Sequence, residues 1–474
     1  MNNIWQKLFK TSALYLFGTV IAKLVSFFML PLYTEKIPTD VYGMYDIVVA
    51  YAAIVVPLVG VNCWQGMLRF LAEEKEVTGQ NRVVAQGWIM MLISMLLLTA
   101  GYWVFCLFVD FSCKMLVYLY FLAQMLQYFY LYTARGYQRN TVYAVSGIIS
   151  AVVVAVVSLI CVYLLNLRLE ALYWAQIISL LAQVVYMELD LHLVKKIDFR
   201  LLDRKMLKSL YRFCFPESVG TIFNWLLSSI NRLIIVAVLG YAANGIYAIS
   251  NKFLAILNVF MTAFVLSFQE VLYSADTETR EQAANTVLDK FAKLAGAAVA
   301  VILIGTSVVY PLFISGDYTE GYSLIPVFYL YFMMSGVTWI LSSVVSATKQ
   351  TQITLYEKII IGIVNFGLMA CLITPMGLSS SPVSLLVAET IGIAVFKILL
   401  KRIAGFTVKI PVRYLVLDML MIGAASIVFF INNLWLNLGV LAVAAVAFLV
   451  IFRKLILSLL HALTAFVKER KANS

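Results

Sequence analysis

The stretch VVAQGWIMMLISMLLLTAGYWVFCLFV, Val83–Val109, runs for 27 residues without a charged side chain. A helix needs about 20 residues, at about 1.5 Å each, to cross the roughly 30 Å of hydrocarbon in a bilayer. This run is long enough to span. Apolar runs of similar length recur at Ala13–Leu32, Val142–Leu165, Leu294–Ile314 and Leu434–Phe452. With 63% hydrophobic and 12% charged residues and a mean hydropathy of +0.94, the chain lacks the polar surface to cover a water-soluble globule. Strand-period alternation is missing, which argues against a barrel. The expectation is an all-α integral membrane protein.

Reading outward from that run gives about 14 transmembrane helices, at 12–33, 42–62, 83–109, 113–134, 142–165, 170–191, 213–239, 243–268, 291–314, 322–346, 353–375, 382–400, 414–431 and 433–452. The connections alternate in chemistry. One set, with both termini, holds 28 of the 35 Lys and Arg, the other set holds 3, and 4 lie within spans. By the positive-inside rule both termini are expected in the cytoplasm, with Met1–Lys10 an amphipathic lead and not a cleavable signal. The net charge of +11 then reflects topology and contact with anionic lipid; nothing points to nucleic acid.

The chain repeats itself weakly. Tyr42-Gly43-Met44-Tyr45 and Asn244-Gly245-Ile246-Tyr247 stand 202 positions apart, each opening a span after a long one. This predicts two pseudo-repeated six-helix lobes: residues 1–192 (spans 1–6) and 213–400 (spans 7–12). Between them 193–212 carries seven bases, with Phe199, Leu202, Met206, Leu210 and Phe213 at helical spacing. It fits an interfacial linker helix or a solvated loop. Residues 401–474 hold spans 13 and 14 and a cytoplasmic tail. Parallel halves suit a transporter that moves one lobe against the other around a central site.

Four bases, Lys23, Arg232, Lys252 and Lys358, fall inside spans. A charge near the bilayer centre costs at least about 2.5–3.5 kcal/mol, so it normally faces water or a partner. Three of them adjoin polar stripes. Glu217, Thr221, Asn224, Ser228 and Arg232 keep near one helical face, as do Ser12, Tyr15, Thr19, Lys23 and Ser26. Asn244, Tyr247, Asn251, Asn258 and Thr262 do the same in span eight, with Lys252 at the edge. Scattered hydroxyls and amides also serve as ordinary glue between membrane helices. At about 1.5 Å per residue, Lys23, Lys252 and Arg232 share a layer roughly 10–15 Å from the outer ends of their spans, and Asp46, at roughly 6 Å, lies within reach of a long basic side chain. Asp46 is expected to neutralise one cation and leave a net positive site.

Enzymatic chemistry finds little support. The two histidines, His192 and His461, sit at opposite ends of the chain, so no histidine-based metal or nucleophile cluster can be drawn. No glycine precedes a lysine, which removes the P-loop. The six cysteines lack CxxC spacing and read as small apolar residues. No metal and no cofactor are expected, apart from an H⁺ or Na⁺ used for coupling.

The pattern Ser12-Ala13-Leu14-Tyr15 through Phe27-Phe28-Met29-Leu30-Pro31-Leu32-Tyr33-Thr34, the Tyr42-Gly43-Met44-Tyr45 turn, Phe215-Pro216 and Leu239-Gly240-Tyr241 through Gly245-Ile246-Tyr247-Ala248 resemble the polysaccharide-transport branch of the multidrug/oligosaccharidyl-lipid/polysaccharide (MOP) flippase superfamily. Many members of that branch carry an acid followed by a base late in span seven, where this chain has Asn231-Arg232. The resemblance implies a V-shaped pair of lobes, a central cavity lined by spans 1, 2, 7 and 8, and help from spans 13 and 14 in accommodating a lipid tail. It also implies a flippase for polyprenyl-pyrophosphate-linked oligosaccharide, working by alternating access in a bacterial plasma membrane.

The residues agree with such a substrate. Arg grips pyrophosphate with a two-pronged fork and Lys acts as a mobile point charge, so Lys23, Arg232 and Lys252 are the candidate pyrophosphate site. Thr19, Asp46, Glu217, Thr221, Asn224, Ser228, Tyr247, Asn251 and Asn258 are candidate lining residues, and Trp225 a candidate sugar contact. Asp46 and Glu389 are candidates for ion coupling, and Glu389 also for pairing with Lys358. Glu357-Lys358 is expected to reach the cytoplasmic face, Asp418 to be solvated, and Glu217 after Pro216 to mark a hinge. The alternative is a cation-coupled multidrug antiporter, although three of the five charges on the central spans are basic. A lipid II flippase ranks lower, as does a membrane glycosyltransferase or polymerase, which would usually show a large hydrophilic loop where every extracytoplasmic loop here is short. Expected partners are the lipid-linked oligosaccharide, the bilayer, and a polymerase and glycosyltransferases.

Overall fold

A computed structural model of the 474-residue chain describes residues 20, 23–274, 277–348, 350, 352–431 and 433–453. Among these residues every regular element is helical and no strand occurs. In chain order the helices are α1 Leu30–Lys36, α2 Thr39–Val59, α3 Cys63–Glu73, α4 Val77–Phe108, α5 Lys114–Gly136, α6 Asn140–Leu159 with a π turn Ile160–Leu164, and α7 Leu169–Leu191. They continue with α8 Arg204–Ser274, α9 Thr277–Phe313, α10 Ile325–Thr348, α11 Gln352–Met376, α12 Ser380–Ala404, α13 Val412–Ile431 and α14 Leu434–Ile451.

Ten segments among the described residues are long and apolar enough to cross a membrane. Two of them, Arg204–Thr262 with 59 residues and Gln352–Ala404 with 53, are each more than twice the roughly 20 residues that one crossing needs. Each breaks near its middle. Gly240 holds φ 86° and ψ 179° inside α8, a backbone setting that a residue with a Cβ avoids. Gly377–Ser379 forms a 3₁₀ turn between α11 and α12. Helix α5 is outside the ten; its tyrosines and glutamines dilute the leucines. The first expected span begins before the described residues, so the expected count of fourteen is not established.

Between α7 and α8 the chain departs from a single linker helix. His192 caps α7 in the left-handed region, with φ 50°, and two 3₁₀ turns follow at Val194–Lys196 and Phe199–Leu201. Asp198 accepts from the Arg200 amide, and Asp203 accepts from Lys205 and Met206 and so caps the start of α8. These short aspartate bonds stop the helix and restart it, which residue periodicity does not register. Lys196 lies over the Tyr137 ring at 4.5 Å. Partial burial there lowers the Lys196 pKa and pushes Tyr137 up to about 12.

The chain packs as two compact units, Met1–Val259 with Gly316–Tyr318, and Phe260–Ser315 with Thr319–Ser474. Tyr318 ties its short segment to the first unit: its hydroxyl donates to the carbonyls of Ile37 (2.9 Å) and Pro38 (3.1 Å), and its ring meets Tyr42 edge-on. In the second unit α9 is the spine for α13. The Asn285 side chain bonds the backbone of Thr407 and Lys409. At the other end Tyr322 stacks on Phe429 at 3.9 Å and donates to the Phe429 carbonyl at 2.7 Å. Lipid offers apolar helices no hydrophobic gain on pairing, so such packing and hydrogen bonds carry the association.

Candidate functional site

The site is built where α2 and α3 run antiparallel to the first half of α8, all within the first unit. Positions 46, 50, 62, 66 and 69 on one side meet 232, 225, 221, 214 and 213 on the other. Arg232 Nε lies 2.9 Å from Asp46 Oδ2, the two side chains being 24% and 14% exposed. The contact is a close ion pair in which the N–H is not aimed at the oxygen. The Trp225 indole donates to the Ala50 carbonyl and its ring stacks on Tyr51. Asn62 donates to Thr221 Oγ1 at 2.9 Å, Cys214 Sγ fills the space beside Gly66, and Arg69 lies over the Phe213 ring at 5.3 Å.

Asn62 reaches Thr221 because the chain breaks there. Pro57 lies within α2, and Val61 and Asn62 both adopt positive φ, 48° and 45°. Asn tolerates that region and Val does not. The break ends α2 and starts α3, a helix lying where the sequence suggested only a cytoplasmic loop.

The two halves of the sequence repeat meet directly. A Cβ built on Gly43 would collide with the Tyr241 carbonyl oxygen, and one on Gly245 with that of Thr39. Thr39 precedes Gly43 by four residues, as Tyr241 precedes Gly245, so the crossing is pseudo-twofold. Only glycine permits such backbone contact. Asn244, fully buried, closes the crossing: its amide nitrogen donates to the Gly43 carbonyl (3.0 Å) and to Asp46 Oδ2 (3.3 Å). Lys252, farther along α8, donates to Ser26 Oγ at 3.4 Å. It lies within electrostatic range of Asp46, Lys23 and Arg232, so Asp46 has one cation in contact and a second nearby. Lys23 itself is exposed.

The remaining lining candidates divide. Thr221 also donates to the Glu217 carbonyl, and Ser228 to that of Trp225; Glu217 is exposed, while Asn251 and Asn258 are half-buried. Tyr247 is buried, at 5% exposure. Thr19 and the side chain of Asn224 lie outside the described residues, as do Ser12 and Tyr15.

The second unit holds acids of another kind. Glu389 accepts from Thr338 at 2.8 Å. Glu357 is buried at 3% exposure beside Gly392, while Lys358 next to it is exposed. Only the lysine thus turns outward. Asp418, expected in solvent, is 4% exposed: it fills the place where Gly296 lacks a side chain, and one of its oxygens is buried without a partner. Asn62, Asn244, Glu357 and Asp418 are the polar residues whose placement the sequence reading missed. Among the described residues no group of three or more His, Cys, Asp or Glu is placed to hold a metal.

Comparisons with known proteins fix the family. A model of the family described as polysaccharide biosynthesis protein matches residues 8–273, more than half of the 474. No curated protein sequence matches the chain. Among solved structures the fold is similar to lipid II flippase MurJ in an inward-closed conformation, with TM-score 0.68, 13% identity, and coverage of 94% of this chain and 100% of that one. It is also similar to an inward-facing multidrug resistance MATE transporter of the MOP superfamily, with TM-score 0.64, 15% identity, and 82% and 95% covered. A third likeness is to a MOP transporter from Pyrococcus furiosus whose binding pocket has reversed polarity, with TM-score 0.56, 15% identity, and 83% and 96% covered. This chain is a multi-pass membrane protein with the MOP-superfamily fold, and it belongs to the polysaccharide biosynthesis protein family.

Proposed function

We propose that the protein is a flippase that carries undecaprenyl-pyrophosphate-linked oligosaccharide, a repeat unit of cell-surface polysaccharide, from the cytoplasmic to the outer leaflet of a bacterial plasma membrane by alternating access. One observation carries the reading: Arg232 contacts Asp46, and Lys252 lies in electrostatic range of Asp46, Arg232 and Lys23, on membrane helices. Three cations to one anion is a surplus of positive charge, and a pyrophosphate is the dense anion that would balance it. The family supports a role in polysaccharide biosynthesis.

In this reading Arg232 and Lys252 hold the pyrophosphate with Lys23. Thr19, Asp46, Glu217, Thr221, Asn224, Ser228, Tyr247, Asn251 and Asn258 line the cavity, Asn224, Asn251, Tyr247 and Trp225 contact the sugars, and the last two spans accommodate the lipid tail. The lobes are 1–192 and 213–400, with both termini in the cytoplasm, and partner glycosyltransferases and a polymerase supply and use the repeat unit. The protein acts as a secondary transporter, with H⁺ or Na⁺ coupling through Asp46 or Glu389.

A second reading, a cation-coupled multidrug antiporter, draws on the buried carboxyls of the second unit, which would suit a cationic substrate or ion. The test is flipping of a polyprenyl-pyrophosphate oligosaccharide in vesicles, read together with thermal stability. Ala at Lys23, Arg232 or Lys252 is expected to remove flipping from a folded protein, and Arg232→Lys to retain part of it, because charge remains and the fork does not. Full flipping by all three Ala variants would put the antiporter first.

A further inference from the structure

We infer that Asp46, Asn244 and the Gly43–Gly245 crossing form a latch that an anion releases by taking Arg232 from Asp46; this rests on the anionic-substrate reading above. The latch has two layers. In the first, backbones touch at Gly43 and Gly245, each against the carbonyl four residues before the other glycine. At the glycines themselves backbone meets backbone, with no side chain between them. The second layer holds it shut: one amide nitrogen of Asn244 reaches both the Gly43 carbonyl and Asp46, and Arg232 balances the charge of Asp46 from the other side.

Arg232 therefore serves two masters. A phosphate group offers several anionic oxygens in the geometry that a guanidinium binds best, and it competes well against one misaimed carboxylate contact. Once Arg232 turns to the phosphate, Asp46, only 14% exposed when paired, loses its contacting counter-charge, keeps only the non-contacting Lys252, and stands beside a new anion. Like charges at short range in a poorly solvated site repel strongly. Asp46 then draws away with the start of α2, the Asn244 bridge breaks, and the glycine crossing opens. Occupancy of the cationic site and separation of the two helix starts become one event, a coupling that needs only that the anion bind the open state better.

The test uses the full chain in a Cys-free background, with spin labels at Asp40→Cys and Ala242→Cys, both exposed positions beside the crossing. Distances are measured with and without inorganic pyrophosphate. A longer distance is expected on adding pyrophosphate to the parent protein. Asp46→Asn, which removes the competitor, is expected to populate the longer distance unliganded and to bind pyrophosphate about ten-fold tighter. Gly43→Ala is expected to give the longer distance in either condition.

Unchanged unliganded distances in both variants would overturn the latch. Pyrophosphate binding to Asp46→Asn no tighter than to the parent would overturn release by competition. If no form binds pyrophosphate while both variants still open, the anionic-substrate reading fails and the inference shrinks to a gate without an anion trigger. Thermal melting of each variant confirms folding.

Discussion

The two units manage charge inside the membrane in opposite ways. In the first, Asp46 is met from two sides, by Arg232 and by Asn244, and Lys252 has Ser26. In the second, Glu389 accepts from the Thr338 hydroxyl, Glu357 lies against Gly392, both with Lys358 in electrostatic range but in no close ion pair among the described residues, and Asp418 keeps one oxygen without a hydrogen-bond partner. A carboxylate facing a cation can remain ionised in a low-dielectric setting; one without a cation pays a large desolvation cost for its charge. The first unit closes an ion pair on its buried acid; the second leaves its buried acids without a close ion pair among the described residues. That contrast is what the proposed anion site and the proposed coupling site would each require.

The largest expected effect lies in the first unit. Arg232→Met strands Asp46, and loss of a partly buried charged contact is expected to cost about 2–3 kcal/mol of stability. The double variant Asp46→Asn with Arg232→Met removes both charges and is expected to recover part of that loss. Thermal or denaturant unfolding of the four proteins gives the coupling between the sites. Additive losses would mean that the pair is not a unit, and the comparison would lose its first half.

Glu389→Gln is expected to act on coupling and not on stability. An amide replaces the carboxyl at nearly constant shape and still accepts from Thr338, so unfolding should shift by less than about 1 kcal/mol. The dependence of transport on an H⁺ or Na⁺ gradient is expected to weaken while substrate binding persists. Glu357→Gln serves as the comparison, since it lies on the neighbouring helix without that hydroxyl. An unchanged gradient dependence in both would assign these acids to packing and leave coupling to Asp46.

How far the sequence could be read follows the same division. The all-helical membrane class and the break at Leu239-Gly240-Tyr241 rest on local signals, apolar length and a glycine, and both stand in the structure. Gly43 and Gly245 were legible as a repeat, yet nothing local says that repeated glycines touch each other. That Asp46 lies near a base followed from depth, because rise per residue places two spans on one scale; that the base is Arg232 did not. Asn62 was missed because its role depends on a left-handed break at two non-glycine residues. Asp418 was misread because its burial depends on Gly296 of α9, far away in the chain. Position along a span reports depth, and it does not report which face a neighbouring helix covers.

The smallest effect belongs to Glu35 and Lys36, an exposed pair at the end of α1 with 2.8 Å between Oε1 and Nζ. The Tyr163 hydroxyl lies 3.4 Å from Glu35, and Lys36 sits over the same ring. The hydrogen bond between them, and then their opposite charges, hold the Glu35 carboxyl below its usual range and Lys36 above its own. An acid whose pKa is lowered on folding stabilises above its unfolded value, about 4.3, and loses that as pH falls through the folded value; a base whose pKa is raised stabilises below about 10.4 and loses that as pH rises through its folded value. Glu35→Gln is therefore expected to differ from the parent only between those two ranges, and the difference should vanish in acid. Solvent screening keeps it small. Melting curves of both proteins from acid to alkaline pH, at low and high salt, check this. A shift as large as that of Arg232→Met would show that exposure, and not pairing, had been misjudged as the property that sets the cost of a charge in this molecule.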